Sequence, residues 1–249
     1  MIPLRDANPT RRTPLVTLAI VIACFVAFGY ELGRLASGGE DSLNELVTTW
    51  GVVPADITTA FARGDFVSSE TLTLVTSQFL HGGWLHLLGN LLFLWIFGNN
   101  IEDRFGRLRF LLFYLTGGVV AGLCQVFITP TSDVPTIGAS GAIAATLGAY
   151  VVLFPRARVT SLVFLGFFYQ LIDVPAVIVL VFWFVLQLID GLTSLGVTDL
   201  SGGVAFFAHI GGFAFGAAIA TIVAAAGRRA SGRAGRGPSA GPSATPAVG

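Results

Sequence analysis

Four polar side chains in apolar stretches of this sequence are of types that can take part in catalysis. Ser140 stands in GASGAIAATLGAY, His86 and Asn90 stand in HGGWLHLLGN, and His209 stands in AHIGGFAFG. A serine hydroxyl becomes a nucleophile when a base such as histidine lies within hydrogen-bond reach, and further donors stabilise the oxyanion of the transition state. Packing alone also explains each residue singly, because serine eases helix contacts and a membrane histidine or asparagine satisfies a nearby carbonyl.

The composition indicates an integral membrane protein. Of the 249 residues, 54% are hydrophobic and 11% are charged, and the mean hydropathy is +0.79. These values lie well outside the range of soluble globular chains. Polar groups inside such a chain are costly and mark functional sites by default. The cysteines, Cys24 and Cys124, both lie in apolar runs, so the sequence predicts neither a disulfide framework nor a metal site.

Apolar runs long enough to cross about 30 Å of hydrocarbon indicate the fold class. Six of them lie near residues 14–32, 84–99, 108–128, 138–154, 174–190 and 204–226. The sequence therefore predicts an all-α polytopic membrane protein, a bundle of six transmembrane helices with a long outer first loop. A further apolar stretch between Pro155 and Val174 is short, and we interpret it as an interfacial or partly inserted connector.

The positions of the arginines indicate the orientation. All 14 basic residues are arginine, and most lie at the N-terminus, in the second-to-third and fourth-to-fifth connections and in the C-terminal tail. Connections rich in positive charge face the cytoplasm, so both termini are predicted to be cytoplasmic. The alternative for the first run is a cleaved signal peptide, but the run is long for one and no small-residue cleavage site follows it.

The chain divides into three predicted parts. Residues 1–13 are a cytoplasmic N-terminal segment and residues 14–226 form the six-helix membrane domain. Residues 227–249 are rich in Gly, Pro, Ser, Ala and Arg, which predicts a disordered cytoplasmic tail. Apolar residues with the spacing of a short interfacial helix occur in the first outer loop, at Leu43, Leu46, Val47 and Trp50.

The predicted spans place the polar residues in one layer. The second, fourth and sixth spans all begin at the outer side, and His86, Ser140 and His209 lie within the first few residues of them. At 1.5 Å per residue, this depth is about 5 to 10 Å below the outer surface. His86 and Asn90 are four residues apart and share one helical face. The common depth of His86, Ser140 and His209 favours a joint function over separate packing roles.

Small residues accompany the histidine of the last span. His209, Gly212 and Gly216 recur at i, i+3 and i+7, so a stripe of glycines shares the face of the imidazole. Small residues let two membrane helices approach closely. The expected neighbour is the fourth span, where Gly141 follows Ser140.

The segments HGGWLHLLGN, IEDRFG, GASG and AHIGGFAFG, in this order, resemble the rhomboid intramembrane serine proteases of bacterial type. The resemblance covers about residues 14–226. It implies that Ser140 is the nucleophile and His209 its base, in a dyad without a carboxylate. It also implies that the side chains of His86 and Asn90, with the backbone N–H of Ser140, stabilise the oxyanion, and that the reaction uses neither a cofactor nor a metal.

The same resemblance implies a substrate and a point of difference. The substrate is a transmembrane segment of another protein, cut near the outer membrane face, so the partners are membrane proteins and the lipid bilayer, and not nucleic acid. Relatives commonly carry Phe or Tyr four residues after the serine, where its ring packs beneath the imidazole, but this chain has Ala144. Phe207 and Phe213, near His209, are the candidates to support the imidazole instead.

Two functions of other classes stand as alternatives. A catalytically inactive rhomboid-like scaffold that binds membrane helices would lack the serine or the histidine, and both are present. A small transporter would have internal repeats and helices broken near mid-depth, whereas this polar layer is shallow and the sequence has no evident repeat.

Overall fold

A computed structural model describes residues 1–165, 168–194 and 206–234. Its helices are α1 (Leu15–Trp50), α2 (Pro54–Ala62), α3 (Ser69–Thr76), α4 (Trp84–Phe93), α5 (Asn99–Phe105), α6 (Arg107–Ile128), α7 (Ser140–Leu153), α8 (Ala176–Ser194) and α9 (Phe206–Ala234). Its strands are β1 (Ile2–Asp6), β2 (Arg158–Leu165) and β3 (Phe168–Pro175). A 3-10 helix spans Ser77–Phe79, and a π-helical turn, Leu94–Gly98, joins α4 to α5.

The long apolar helices make the chain a polytopic membrane protein. Among the described residues, α1, α6 and the Phe206–Gly227 part of α9 are long and apolar enough to cross a membrane. A fourth span results if the segments Ser69–Phe79 and Trp84–Phe105, bent by 81°, count as one. The helix α7 and the Ala176–Val185 part of α8 are apolar but shorter. Six spans and a long outer loop therefore remain a prediction.

The helix α7 is the centre of the packing. Its residues from Gly141 to Tyr150 are all buried, mainly against α6 and α9. Alanine and glycine dominate this stretch, so the neighbouring backbones approach closely. A Cβ atom added at Gly216 would collide with the carbonyl of Ala145, and one added at Gly148 would collide with the carbonyl of Phe213. The close contact of α7 with α9 brings the fourth and sixth predicted spans together.

A small antiparallel sheet lies at the end of α7 opposite Ser140. The strands follow the order β1-β2-β3, and β2 and β3 form a hairpin. The stretch that we interpreted as an interfacial connector is therefore a β-hairpin, and part of the predicted N-terminal segment pairs with it. Four of the eight residues of β2 are valine, threonine or phenylalanine, and these residues favour strands.

Asp6 connects β1 to α5 and α7 through hydrogen bonds. Its Oδ2 accepts hydrogen bonds from Nδ2 of Asn8 at 3.1 Å, Nδ2 of Asn100 at 2.7 Å and the hydroxyl of Tyr150 at 2.8 Å. Burial raises the pKa of Asp6 above its ordinary value, and these hydrogen bonds oppose that rise. The N-terminal segment is thus tied to both α5 and α7.

The first helix is longer than the first apolar run. It continues to Trp50 across a kink at Gly39, whose φ of 68° favours glycine. The segment with the amphipathic spacing lies after this kink, with Leu46 buried and Trp50 46% exposed. A bridge between Val52 and Thr136 then joins this region to the segment that leads to α7.

Glu102, from the segment IEDRFG, holds the start of α1. Its carboxylate accepts the backbone N–H of Val16 at 3.0 Å, the backbone N–H of Thr17 at 2.8 Å and the hydroxyl of Thr17 at 2.8 Å. The first N–H groups of a helix have no acceptor within the helix, so an outside carboxylate stabilises this end. The segment therefore joins α5 to α1.

The last helix continues beyond the predicted boundary at residue 227. It ends at Ala234, and the rest of the tail predicted to be disordered, residues 235–249, lies outside the described residues. Most of the predicted outer connection 191–203 also lies outside them, because the description stops at 194 and resumes at 206.

Candidate active site

Ser140 and His209 lie in direct contact. Ser140 is the first residue of α7, and His209 is in the first turn of α9. The Nε2 atom of His209 lies 2.7 Å from Oγ of Ser140. A neutral imidazole whose Nε2 carries no proton accepts a hydroxyl hydrogen in this arrangement. The histidine is 2% exposed, whereas the serine is only half-buried and remains open to a reactant.

Glycines on both helices permit this distance. A Cβ atom added at Gly212, one turn after His209, would collide with the carbonyl of Gly141. The same atom would lie 3.3 Å from Cβ of Ala144. A larger residue at Gly212 would therefore push α9 away from α7 and separate the imidazole from the hydroxyl.

The other ring nitrogen of His209 has no polar partner among the described residues. Its Nδ1 is buried and makes no hydrogen bond there. A catalytic triad would place a carboxylate at this atom. Within the described residues, the imidazole is therefore held by van der Waals contacts and by Ser140.

His86 and Asn90 face the residue two positions before Ser140. A Cβ atom added at Gly138 would lie 2.8 Å from Nε2 of His86 and 3.7 Å from Nδ2 of Asn90. Gly138 also has a φ of +128°, which side-chain-bearing residues rarely adopt. Position 138 therefore requires glycine, because the segment that leads to α7 passes close to the side chains of His86 and Asn90 there. The structure thus brings together all four residues that the sequence singled out.

Both side chains of α4 offer a donor to this space. Nδ1 of His86 accepts the backbone N–H of Gly82 at 3.3 Å, so the neutral ring carries its proton on Nε2. Nδ2 of Asn90 is buried and has no hydrogen-bond partner among the described residues. The first N–H groups of α7, including that of Ser140, have no acceptor within the helix. Donors of three kinds therefore lie near the start of α7, two of them beside Gly138.

Comparison with known proteins identifies the family. A family model described as the rhomboid domain matches residues 68–226, which is more than half of the chain. The chain belongs to the rhomboid family. The matched region includes α4, α7 and α9 as far as residue 226, and so contains the whole candidate site.

Individual rhomboid relatives match shorter stretches. The chain is 33% identical over 135 residues to the presenilin-associated rhomboid-like protein A, mitochondrial, of Danio rerio, covering 52% of this chain and 35% of the relative. It is 33% identical over 96 residues to the putative rhomboid protease YdcA of Bacillus subtilis, covering 39% and 47%. It is 42% identical over 89 residues to the rhomboid protease GluP of the same organism, covering 35% and 17%. Less than half of each of these relatives is matched.

A buried carboxylate positions the segment before α4 in this rhomboid. Glu31 of α1 is 2% exposed, and its Oε1 accepts the backbone N–H of His81 at 2.9 Å. The ring of His81 packs edge-on against that of His86, with 5.1 Å between centroids. Glu31 was not among the residues predicted from the sequence, although a carboxylate inside an apolar span is a signal in itself. Glu31 thus connects the first helix to the histidine of α4.

The aromatic ring against His209 comes from a residue that the sequence did not suggest. Phe207 packs against Phe206, and Phe213 packs against Phe184. Trp183 of α8 instead lies against His209, with 5.5 Å between ring centroids and 56° between ring planes.

The described residues contain no group of three or more His, Cys, Asp or Glu side chains that could hold a metal ion.

Proposed function

We propose that this rhomboid is an intramembrane serine endopeptidase that cuts transmembrane segments of other membrane proteins near the outer membrane face. The observation that carries the proposal is the 2.7 Å hydrogen bond between Ser140 and His209, at the start of two closely packed apolar helices. Membership of the rhomboid family supports it, since the family includes the relative named rhomboid protease GluP.

The first half of the reaction transfers the acyl group to the enzyme. The Oγ atom of Ser140 attacks the carbonyl carbon of the scissile bond, and Nε2 of His209 takes the hydroxyl proton. When the tetrahedral intermediate collapses, the imidazolium gives this proton to the leaving amine. An ester between Ser140 and the N-terminal part of the substrate remains.

The second half of the reaction consumes water. His209 takes a proton from a water molecule, whose oxygen attacks the ester carbonyl. The imidazolium then returns the proton to Oγ of Ser140 as the acid product leaves. Ser140 and His86 are only half-buried, so water can reach the ester from the end of α7 where the helix begins.

The donors near Gly138 stabilise the charge that develops on the carbonyl oxygen. Nε2–H of His86, Nδ2–H of Asn90 and the backbone N–H of Ser140 meet at the N-terminus of α7, where the helix dipole also favours negative charge. We place the protein in a bacterial plasma membrane with both termini in the cytoplasm, and its partners are membrane protein substrates and lipid.

Cleavage by the purified protein in liposomes tests this function. The substrate is a single-span membrane protein with a small residue near the outer end of its span, and the products are identified by mass. We expect the wild type to cleave it, Ser140→Ala and His209→Ala to be inactive, and the control Ser132→Ala, in the loop before α7, to be active. Cleavage by both dyad variants would overturn the proposal. Binding of the substrate by the wild type without cleavage would favour the scaffold.

A further inference from the structure

A histidine that acts as a base must keep its orientation while protons move. An imidazole rotates about two side-chain bonds, and a hydrogen bond at Nδ1 commonly prevents this rotation. Nδ1 of His209 has no such partner among the described residues. The contacts of the ring faces and edges therefore decide whether Nε2 points at Ser140.

The side of His209 that faces α7 offers no aromatic support. Ala144 lies one turn after Ser140, carries no ring and has no exposed surface. A Cβ atom at Gly212 would lie only 3.3 Å from Cβ of Ala144, so the backbones of α7 and α9 leave no room for a ring between them. The small residue at 144 is thus part of the close helix contact, and it does not mark an empty space.

Trp183 reaches the imidazole from a third helix. Its side chain is 8% exposed, and its ring lies 5.5 Å from that of His209 at 56°. The indole is itself held, because it packs against Phe93 of α4 at 5.8 Å and Phe184 at 6.0 Å. A large side chain fixed on two sides restricts the ring that it contacts on the third.

We infer that Trp183 is a positioning residue that orients His209 towards Ser140, in place of an aromatic ring at position 144. The inference rests on the proposed Ser140–His209 dyad. Phe93 follows Asn90 by three residues on α4, so Trp183 contacts both the helix of the base and the helix of the oxyanion donors. The helix α8 thereby becomes part of the site, and a displacement of α8 away from α4 would release the imidazole.

Two measurements on Trp183 variants separate positioning of the base from control of substrate access. The first is the rate at which a small fluorophosphonate labels Ser140, where the Oγ–P bond forms, fluoride leaves and the proton passes to His209. This reagent does not need a transmembrane segment to pass between helices. The second is kcat and KM for cleavage of the liposome substrate. The variants are Trp183→Ala and Trp183→Phe, with Trp95→Ala as control, because Trp95 is 49% exposed and outside the site.

We expect Trp183→Ala to lower both the labelling rate and kcat by about 10- to 100-fold, because a misplaced base loses its alignment with the nucleophile. KM should stay near the wild-type value. Trp183→Phe keeps a ring at this position and should restore most of both rates, while Trp95→Ala should match the wild type. Thermal unfolding of each variant shows whether Trp183→Ala is still folded at the assay temperature. Trp183→Phe tests the role of the ring without leaving a large cavity.

Other results would overturn the inference. If Trp183→Ala labels as fast as the wild type and has a lower KM or a higher kcat/KM, the indole only obstructs substrate access between α4 and α8. If Trp183→Phe loses as much labelling as Trp183→Ala in a folded protein, ring support of the imidazole is not its role. If the wild type itself is neither labelled at Ser140 nor active, the proposed dyad fails, and the inference fails with it.

Discussion

At the scale of single residues, the proposed oxyanion site uses two side-chain donors, of which one has no other acceptor among the described residues. Nδ2 of Asn90 is buried without a partner among the described residues, and Nε2–H of His86 lies beside Gly138. An unpaired donor inside a membrane protein is costly. It becomes favourable once an oxyanion forms beside it, so the cost in the resting protein is consistent with stabilisation of the transition state.

Removal of either donor should slow turnover without moving the cleavage position. We expect Asn90→Ala and His86→Ala each to lower kcat by about 10² to 10³, the usual effect of one lost oxyanion donor. Cleavage kinetics and product masses measure the two quantities. Leu88→Ala is the matched control, since Leu88 is on the same helix and 49% exposed. Unchanged kcat in both donor variants would make these residues structural.

A ring at position 144 should overpack the contact between α7 and α9. Ala144 is fully buried and lies close to Gly212. We therefore expect Ala144→Phe to reduce the free energy of unfolding by about 1–3 kcal/mol. The exposed Ala214 provides a control, Ala214→Phe, that should leave stability nearly unchanged. An Ala144→Phe protein as stable as the wild type, with faster turnover, would reveal an empty space beneath the imidazole.

The residues of the candidate site were predictable because polar side chains inside apolar spans are few. Ser140, His209, His86 and Asn90 were all found in this way. Trp183 was not, because an aromatic residue in an apolar helix carries no signal of its own. Its contact with His209 depends on how α8 is rotated against α9, and that rotation follows from side-chain packing across helices distant in sequence.

At the scale of elements, the helices could be predicted from the apolar runs, whereas the sheet could not. The runs near residues 108–128 and 138–154 correspond closely to α6 (Arg107–Ile128) and α7 (Ser140–Leu153). A short apolar run such as VTSLVFLGFF is compatible with a helix or a strand by periodicity alone. Its strand form depends on pairing with β3 and with the N-terminal β1, partners that no local pattern indicates.

Loss of Glu102 should loosen the start of α1. We expect Glu102→Ala to cost about 1–3 kcal/mol of unfolding free energy, because the N–H groups of Val16 and Thr17 lose a buried acceptor. Asp103→Ala is the neighbouring control, since Asp103 accepts one hydrogen bond, from the backbone N–H of Arg11, and that bond is exposed. Unfolding of the two variants in detergent, monitored by circular dichroism, measures their stabilities. Equal stability of the two variants would contradict a capping role for Glu102.

At the scale of the whole molecule, the orientation in the membrane decides which compartment the site faces. A bridge between Val52 and Thr136 puts the region after α1 on the same side as the segment leading to Ser140. The sheet with the N-terminus lies at the other end of α7, where Asp6 bonds to Tyr150. The arginine pattern predicts that this second end is cytoplasmic.

Labelling of single cysteines tests this orientation. In a background with Cys24 and Cys124 replaced by alanine, we expect Ser132→Cys to react with a membrane-impermeant thiol reagent on intact cells. Ser231→Cys should react only after the cells are opened. The reverse pattern would place the site on the cytoplasmic side and contradict the proposed position of cleavage.

If His209 activates Ser140, a serine-directed reagent forms a covalent adduct at Ser140, and its position can be mapped without a physiological substrate. The protein in detergent is treated with a fluorophosphonate, digested and mapped by mass spectrometry, in parallel with Ser140→Ala and His209→Ala. We expect one stoichiometric adduct on Ser140 of the wild type, and none on either variant in the same time. An adduct on another serine, or labelling of Ser140 at the wild-type rate without His209, would show that His209 does not activate Ser140.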